Sequence, residues 1–473
     1  MVRKESRPES GSNKKINRYR VWYNLLCEIR LCCRETHLEN GINRRLALVT
    51  GGVIGVGAIA GVLSQQRACW GMEQLASYEE LMGCKFTPVD QAPLDKISVR
   101  LIPVPDFPGR AAIWGATGRD RQGHIWFGVS ADGIKKPSAH LFEYDPKTDI
   151  VTDCGDVMSE LRRDGRAKPD EGQAKIHSRI VQGEDGHLYF ASMDEQGELA
   201  DGSRQPTWGG HLWRLRMPDR KWEHLKTTQE ALIAVAGYGG RVHTLGYFNH
   251  IVSQYNCKTR VSRSAAVGSV GGHISRNFFC DHRGHLFVPR LKEASKGGVI
   301  RTTLVELNPD LVQVAETPLE HYTETRDENS HGLTGCQPLA DRSIVFTTDQ
   351  GFLYQVTPRD GKPAEVQALG WFHPKGQSYV ASLFTSDGRS HLMGMALPSS
   401  ETKKQYEWLV YDLKERRSRA TPLTLPTLPG QALSKPLFYG SNTRDDAGNC
   451  YLGGVSFHTD RMHPLFLQVR REA

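Results

Sequence analysis

Several of the usual pointers to chemistry are missing from this chain. It has no Cys-x-x-Cys pair and no Cys-x-x-Cys-His, and the seven cysteines after residue 63 are odd in number and scattered. That argues against a zinc ribbon, a haem attachment site or a dense disulfide framework, leaving a single bridge such as Cys69 to Cys84 open. Gly-x-Ser-x-Gly, His-Glu-x-x-His and an EF-hand loop are also absent, so no local motif announces a hydrolase, a zincin or a calcium site. Gly209-Gly210-His211 and Gly271-Gly272-His273 are glycine-rich, but neither opens a long helix, and phosphate-loop readings fail.

Charge is short where it would matter for nucleic acid. The chain carries a net +7, yet residues 1–45 hold eleven Lys/Arg against five Asp/Glu and so account for six of those charges. The remainder is close to neutral and has no nucleic-acid footprint. Residues 1–45 are polar with little periodicity, which reads as a disordered tail or an over-long start. One long apolar run exists, Leu46 to Leu63, with five glycines and a single threonine. Arg44-Arg45 before it and Ala58-Ile59-Ala60 within it fit an export signal, cleaved or kept as a membrane anchor, and a periplasmic or cell-envelope location. A buried core helix is the other reading. Residues 64–96 read as a spacer with a short helix from Met72 to Met82.

From residue 97 onward the chain repeats itself. Asp120-Arg121-Gln122-Gly123-His124-Ile125-Trp126-Phe127 returns as Gly183 to Phe190 and as Asp281 to Val288. A turn residue, a glycine tolerant of positive φ and a β-branched or aromatic run make a tight turn into a strand. Seven copies can be counted, with second strands starting near Gly123, Gly186, Gly240, Gly284, Ser343, Ser390 and Gly448. The seventh ends with the chain and lacks an outer strand, which Ile97 to Val104 can supply. This predicts an all-β, seven-bladed propeller of four-stranded antiparallel blades over residues 97–473, a monomer closed by its N-terminal strand.

The DxxGHIWF, DGHLYF and DxxGHLFV turns, with the HLFEYD and HLWRL strands after them, resemble the seven-bladed propellers that include streptogramin B lyase, the gluconolactonase-like family and regulator-type repeats. The resemblance implies architecture across residues 97–473. By analogy with streptogramin B lyase and with oligogalacturonate lyase, it also implies a channel-mouth site with basic, His and divalent-metal groups.

The repeat also works as a ruler. Seven residues before each turn lies an apolar residue, Ile113, Ile176, Ile274, Val380 or Phe438, expected to be blade-to-blade core. Six and eight residues before it lie Trp114, His177, Ser275 and Tyr439, and Lys175, His273 and Tyr379. His331 joins with a one-residue slip, and alternation along the innermost strands would place these side chains on one ring. Lys175, His177, Arg179, His273, Arg276 and His331 suit an anionic or polyhydroxylated small molecule or oligosaccharide, and Trp114, Tyr379 and Tyr439 suit stacking on a sugar. His177, His273 and His331 could share a divalent metal ion or supply a base, with Arg179 and Arg276 stabilising an enolate-like charge.

The expected activity is that of a lyase or hydrolase on an anionic carbohydrate or a lactone or ester. The alternative is a non-catalytic propeller binding a protein or glycan at the envelope. His124, His187 and His285 recur inside the turn and read as structural, bonding their own blade's backbone. Asp194-Glu195 and Asp327-Glu328 read as solvated loop tips. The long connections Ser159 to Gln173 and Asp194 to Gly210 are expected to cap one mouth near His177.

Overall fold

The structure, a computed structural model, describes residues 93–199, 203–238, 240–270, 275, 277–295, 297–322, 332–399, 405–426, 435–457 and 461–472. The apolar run at 46–63, the helix expected at Met72 to Met82 and the Cys69 and Cys84 pair lie outside these residues. Among the described residues no helix is long and apolar enough to cross a membrane.

The repeated turn folds as its chemistry dictates. In the first copy Gly123 N–H donates to Asp120 O, the His124 N–H donates to the Asp120 Oδ1, and Gly123 adopts φ +92°. Asp281 and Asp445 repeat the arrangement around Gly284 and Gly448. An aromatic residue six positions on, or four in the second copy, explains the rest of the motif. Trp126 Nε1 donates to Asp120 Oδ2 at 2.9 Å, Tyr451 Oη donates to Asp445 Oδ2 at 2.7 Å, and Tyr189 Oη donates to Asp185 Oδ2 at 2.6 Å. These three turns are thus tied to the buried strands that leave them.

Each turn joins an innermost strand to a second strand, and seven sheets result. The first blade runs Arg110–Ala112 with Thr117–Arg119, Ile125–Ala131, His140–Asp145 and Ile150–Asp156. The second runs Lys175–Ile176 with Val181–Gln182, Leu188–Met193, Gly210–Arg216 and Lys221–Thr228. The seventh holds Leu437–Arg444, Cys450–Phe457 and Met462–Arg471, and its fourth strand is Ile97–Leu101 from the other end of the chain, paired antiparallel from Ile97↔Arg471 to Leu101↔Leu467. The protein is a seven-bladed β-propeller closed by its own N-terminal strand.

The apolar residue seven before the turn is the seam between blades. Ile113 and Ile176 are fully buried, and each faces a glycine on the second strand of the preceding blade. A Cβ at Gly128 would lie 2.6 Å from Ile176 Cβ, and one at Gly453 would lie 2.3 Å from Ile113 Cγ2. The missing side chains are what let neighbouring sheets approach.

The innermost strands depart from simple alternation. In the first, second and sixth blades the strand is interrupted, at residues 113–116, 177–180 and 381–383, and in the seventh the register shifts between Tyr439 and Thr443. Serines close the backbone gaps: Ser178 Oγ accepts from Ala191 N at 2.7 Å, and Ser382 Oγ accepts from Met395 N at 3.1 Å. A repeated bulge re-aims the residues beyond it, here the segments that follow Ile176, Val380 and Tyr439.

The connection expected to be loop contains a helix, Val157–Arg163, capped by Asp156, whose carboxylate accepts from Ser159 N. Its buried face, Val157, Met158 and Leu161, packs into the core between the first two blades.

Candidate functional site

The site is built on the innermost strands of four consecutive blades. Lys175 opens the innermost strand of the second blade, paired with Met193. Its Nζ lies 4.8 Å from the centre of the Trp114 ring of the first blade, and the Trp114 ring lies 4.9 Å from that of Tyr439 in the seventh. In the sixth blade Tyr379 donates its hydroxyl to Phe438 O at 3.1 Å. Lys175, Trp114, Tyr439 and Tyr379 therefore form one arc; Lys175, Tyr379 and Tyr439 stand on the paired strands before the interruptions, and Trp114 stands within one.

The rings do not offer free faces. Trp114 is 2% exposed and Tyr439 1%, because Trp114 lies between the Lys175 ammonium and Tyr439. The expectation of stacking on a sugar is met only if Lys175 moves. His177 and Arg179 follow Lys175 on the same segment, and both are buried. The positive charge of Arg179 is felt by the Cys336 thiol on the innermost strand of the fifth blade, opposing the upward push that burial gives that thiol. His273, Arg276 and His331 lie outside the described residues, so the three-imidazole metal site is an expectation that the structure does not address. Ser275, beside them, is fully buried and donates its N–H to His250 Nε2.

The pair dismissed from the sequence as a solvated tip belongs to this arc. Asp194 is buried, and Glu195 Oε2 meets Lys175 Nζ at 2.5 Å. Burial pushes the Asp194 carboxyl up to about 6, helped by the charge of Glu195 and opposed by the backbone N–H groups of Gln196 and Trp208. The register could have signalled this. Asp194 and Glu195 directly follow the strand that runs antiparallel to Lys175, so they emerge at the end of the sheet where Lys175 begins.

The two long connections pack on each other beside the arc. Gln173 accepts from Ser192 Oγ at 2.8 Å and donates to Gly209 O, and the Lys168 ammonium lies 5.8 Å from the centre of the Trp208 ring. His211 joins in, with Nε2 at 3.2 Å from Glu171 and Nδ1 at 2.9 Å from His224 Nε2. Burial, His211 and Arg166 hold His224 far below its ordinary value, at about 3.

The recurring turn histidines differ in what their rings meet, and two of the three face a carboxylate and not the backbone. His124 Nδ1 lies 2.7 Å from Glu143 and His285 Nδ1 lies 2.6 Å from Glu306, each glutamate on the third strand of the same blade. Only His187 takes a backbone partner, accepting from Met217 N at 3.0 Å. The two Asp-His-Glu groups are tight enough to suggest a metal, but arginines supply the cation. Arg283 bridges Asp281 and Glu306, and Arg220 pairs with Glu143.

No family model matches the chain, and no curated protein sequence matches it. Solved structures resemble it in fold alone. One is U3-55K, at 10% identity and a TM-score of 0.45 over 78% of this chain and 98% of that one. Another is an ulvan lyase, bound to a GlcA(1-4)Rha3S saccharide, at 10% identity and a TM-score of 0.46 over 77% of this chain and 94% of that one. A protein of unknown function from Dyadobacter fermentans matches at 10% identity and a TM-score of 0.43, over 79% of this chain and 99% of that one.

Proposed function

We propose that the protein binds an anionic carbohydrate at the end of its channel where Lys175, Trp114 and Tyr439 meet, and acts on it as a lyase or hydrolase. The supporting observation is that the segment directly after Lys175 carries an imidazole and a guanidinium, His177 and Arg179, both buried. The planar guanidinium fork of an arginine matches a carboxylate in two-point geometry. In this reading Arg179, with Arg276, neutralises a sugar carboxylate and lowers the energy of the enolate-like charge formed when the adjacent proton leaves. His177, with His273 and His331, acts as base or holds a divalent ion. A shared origin with streptogramin B lyase and gluconolactonase-like propellers, and export through residues 46–63 as a signal or anchor, belong to the same proposal.

The test is titration calorimetry of purified protein with uronic-acid oligosaccharides, followed by the ultraviolet absorbance of the unsaturated product. Arg179→Ala is expected to weaken binding at least tenfold, and His177→Ala to remove turnover while binding persists. Binding without turnover in the parent protein would instead favour the non-catalytic reading. Absence of any glycan binding would end the proposal.

A further inference from the structure

The arc around Lys175 carries information about the sugar next to the acidic one. Two polar atoms there are buried with no hydrogen-bond partner: Trp114 Nε1, a donor, and Glu195 Oε1, an acceptor. Both belong to groups that touch the same ammonium, since Lys175 Nζ sits 4.8 Å from the Trp114 ring centre and 2.5 Å from Glu195 Oε2. Asp194 Oδ2, on the neighbouring residue, is a third buried atom without a partner. Buried polar groups in native proteins are almost always satisfied, and leaving one unmade is unfavourable. A donor and acceptors left unmade around one flexible side chain describe a place that something else occupies.

Charge decides what that is. Lys175 is already neutralised by Glu195, so a carboxylate arriving here would face Glu195 and Asp194 with one spent cation between them. A hydroxyl suits the unsatisfied atoms better, because it accepts from an indole N–H and donates to a carboxylate at once. Lys175 has four rotatable bonds and an 11% exposed side chain at the end of its strand. Swinging outward, it would open the Trp114 face, which an uncharged sugar ring can cover.

We propose that Trp114, Glu195 and Asp194 form a subsite for an uncharged, hydroxyl-rich sugar residue, with Lys175 as a displaceable plug that leaves when this sugar binds. The inference rests on the glycan-binding reading above and deepens it: the preferred ligand is a mixed oligosaccharide, with a neutral sugar beside the acidic one recognised by Arg179.

The experiment measures binding of the full chain to three classes of oligosaccharide. These are uronate-only (oligogalacturonate and oligoalginate), mixed (hyaluronan and glucuronoxylan fragments) and neutral (chito- and xylo-oligosaccharides). At least one mixed class should bind tenfold or more tighter than either uronate-only class. Trp114→Phe, which keeps the ring and loses the N–H, and Glu195→Gln should each bring the ratio of mixed to uronate-only affinity, measured within the same variant, down to within about twofold of one. Lys175→Ala should keep or raise affinity for the mixed class. Uronate-only ligands binding as tightly as mixed ones, a preference that survives both Trp114→Phe and Glu195→Gln, or a loss of mixed binding in Lys175→Ala overturns the subsite while leaving the glycan reading standing. Failure of all three classes overturns both. Should Trp114→Phe melt well below the parent, Glu195→Gln, on a connection outside the sheet, decides the matter alone.

Discussion

His250 shows how a single side chain can fix a seam between blades. It is fully buried, with Nδ1 at 3.0 Å from Pro289 O and Nε2 accepting from Ser275 N at 3.1 Å. Nδ1 must donate and Nε2 must accept, so only the neutral ring fits, and burial holds its pKa at about 4. Because the folded value lies below the unfolded 6.5, the contribution is fully present above pH 6.5 and is lost as pH falls toward 4. Denaturant unfolding should show stability dropping between pH 7 and pH 4.5, with His250 contributing up to about 3 kcal/mol of the loss. His224 acts in the same direction over the same window. In His250→Leu the overall stability should be lower but its pH slope shallower, and an unchanged slope would refute this account.

At the scale of elements, the glycines on the second strands and the bulges on the innermost strands set how closely blades meet. Gly128→Ala forces a Cβ against Ile176 and should destabilise by about 1–3 kcal/mol, read from the denaturation midpoint. Gly123, whose added Cβ would have no atom nearer than 3.5 Å but whose φ is +92°, should lose stability through backbone strain alone. The closing strand is held by more than its ladder. Arg100 on Ile97–Leu101 reaches the first blade, donating to Asp149 at 2.8 and 3.0 Å and to Tyr144 Oη. The guanidinium holds the Asp149 carboxyl at about 2, and burial with the Asp149 hydrogen bond pushes Tyr144 to about 12. This contact is partly exposed, so Arg100→Ala should lower global stability by no more than about 1 kcal/mol. It should still speed hydrogen exchange at residues 97–101 and 462–471 ahead of the other blades, and uniform exchange would argue against a latch.

For the whole molecule the ring closure is the vulnerable point. Without Ile97–Leu101 the strand Met462–Arg471 presents an open edge with the seventh blade one strand short. A chain starting after residue 101 should melt at lower temperature and form concentration-dependent aggregates by light scattering, whereas one starting at residue 93 should behave as the full chain does. If the shorter chain stays monomeric and equally stable, closure is not what holds the ring. Of the two long connections, the first also holds the ring, because its helix packs between the first two blades, and the second brings Asp194 and Glu195 to Lys175.

The sequence alone determined the architecture, because a repeat is a local signal seen many times. Turn aspartate, positive-φ glycine and strand aromatic act within a few residues of one another, and the apolar residue seven before the turn needs no more than blade stacking to be buried. It also supplied Trp114, Lys175, Tyr439 and Tyr379 as a set. What it could not supply depends on contacts between segments far apart in the chain. His124 finds Glu143, and His285 finds Glu306, only once the third strand is laid beside the second. Asp194 and Glu195 look like a loop tip in one dimension, and they become part of a binding arc because an antiparallel register returns them to Lys175. The bulges belong to the same class. A break in an innermost strand costs backbone hydrogen bonds that only the tertiary structure can restore, through Ser178 and Ser382.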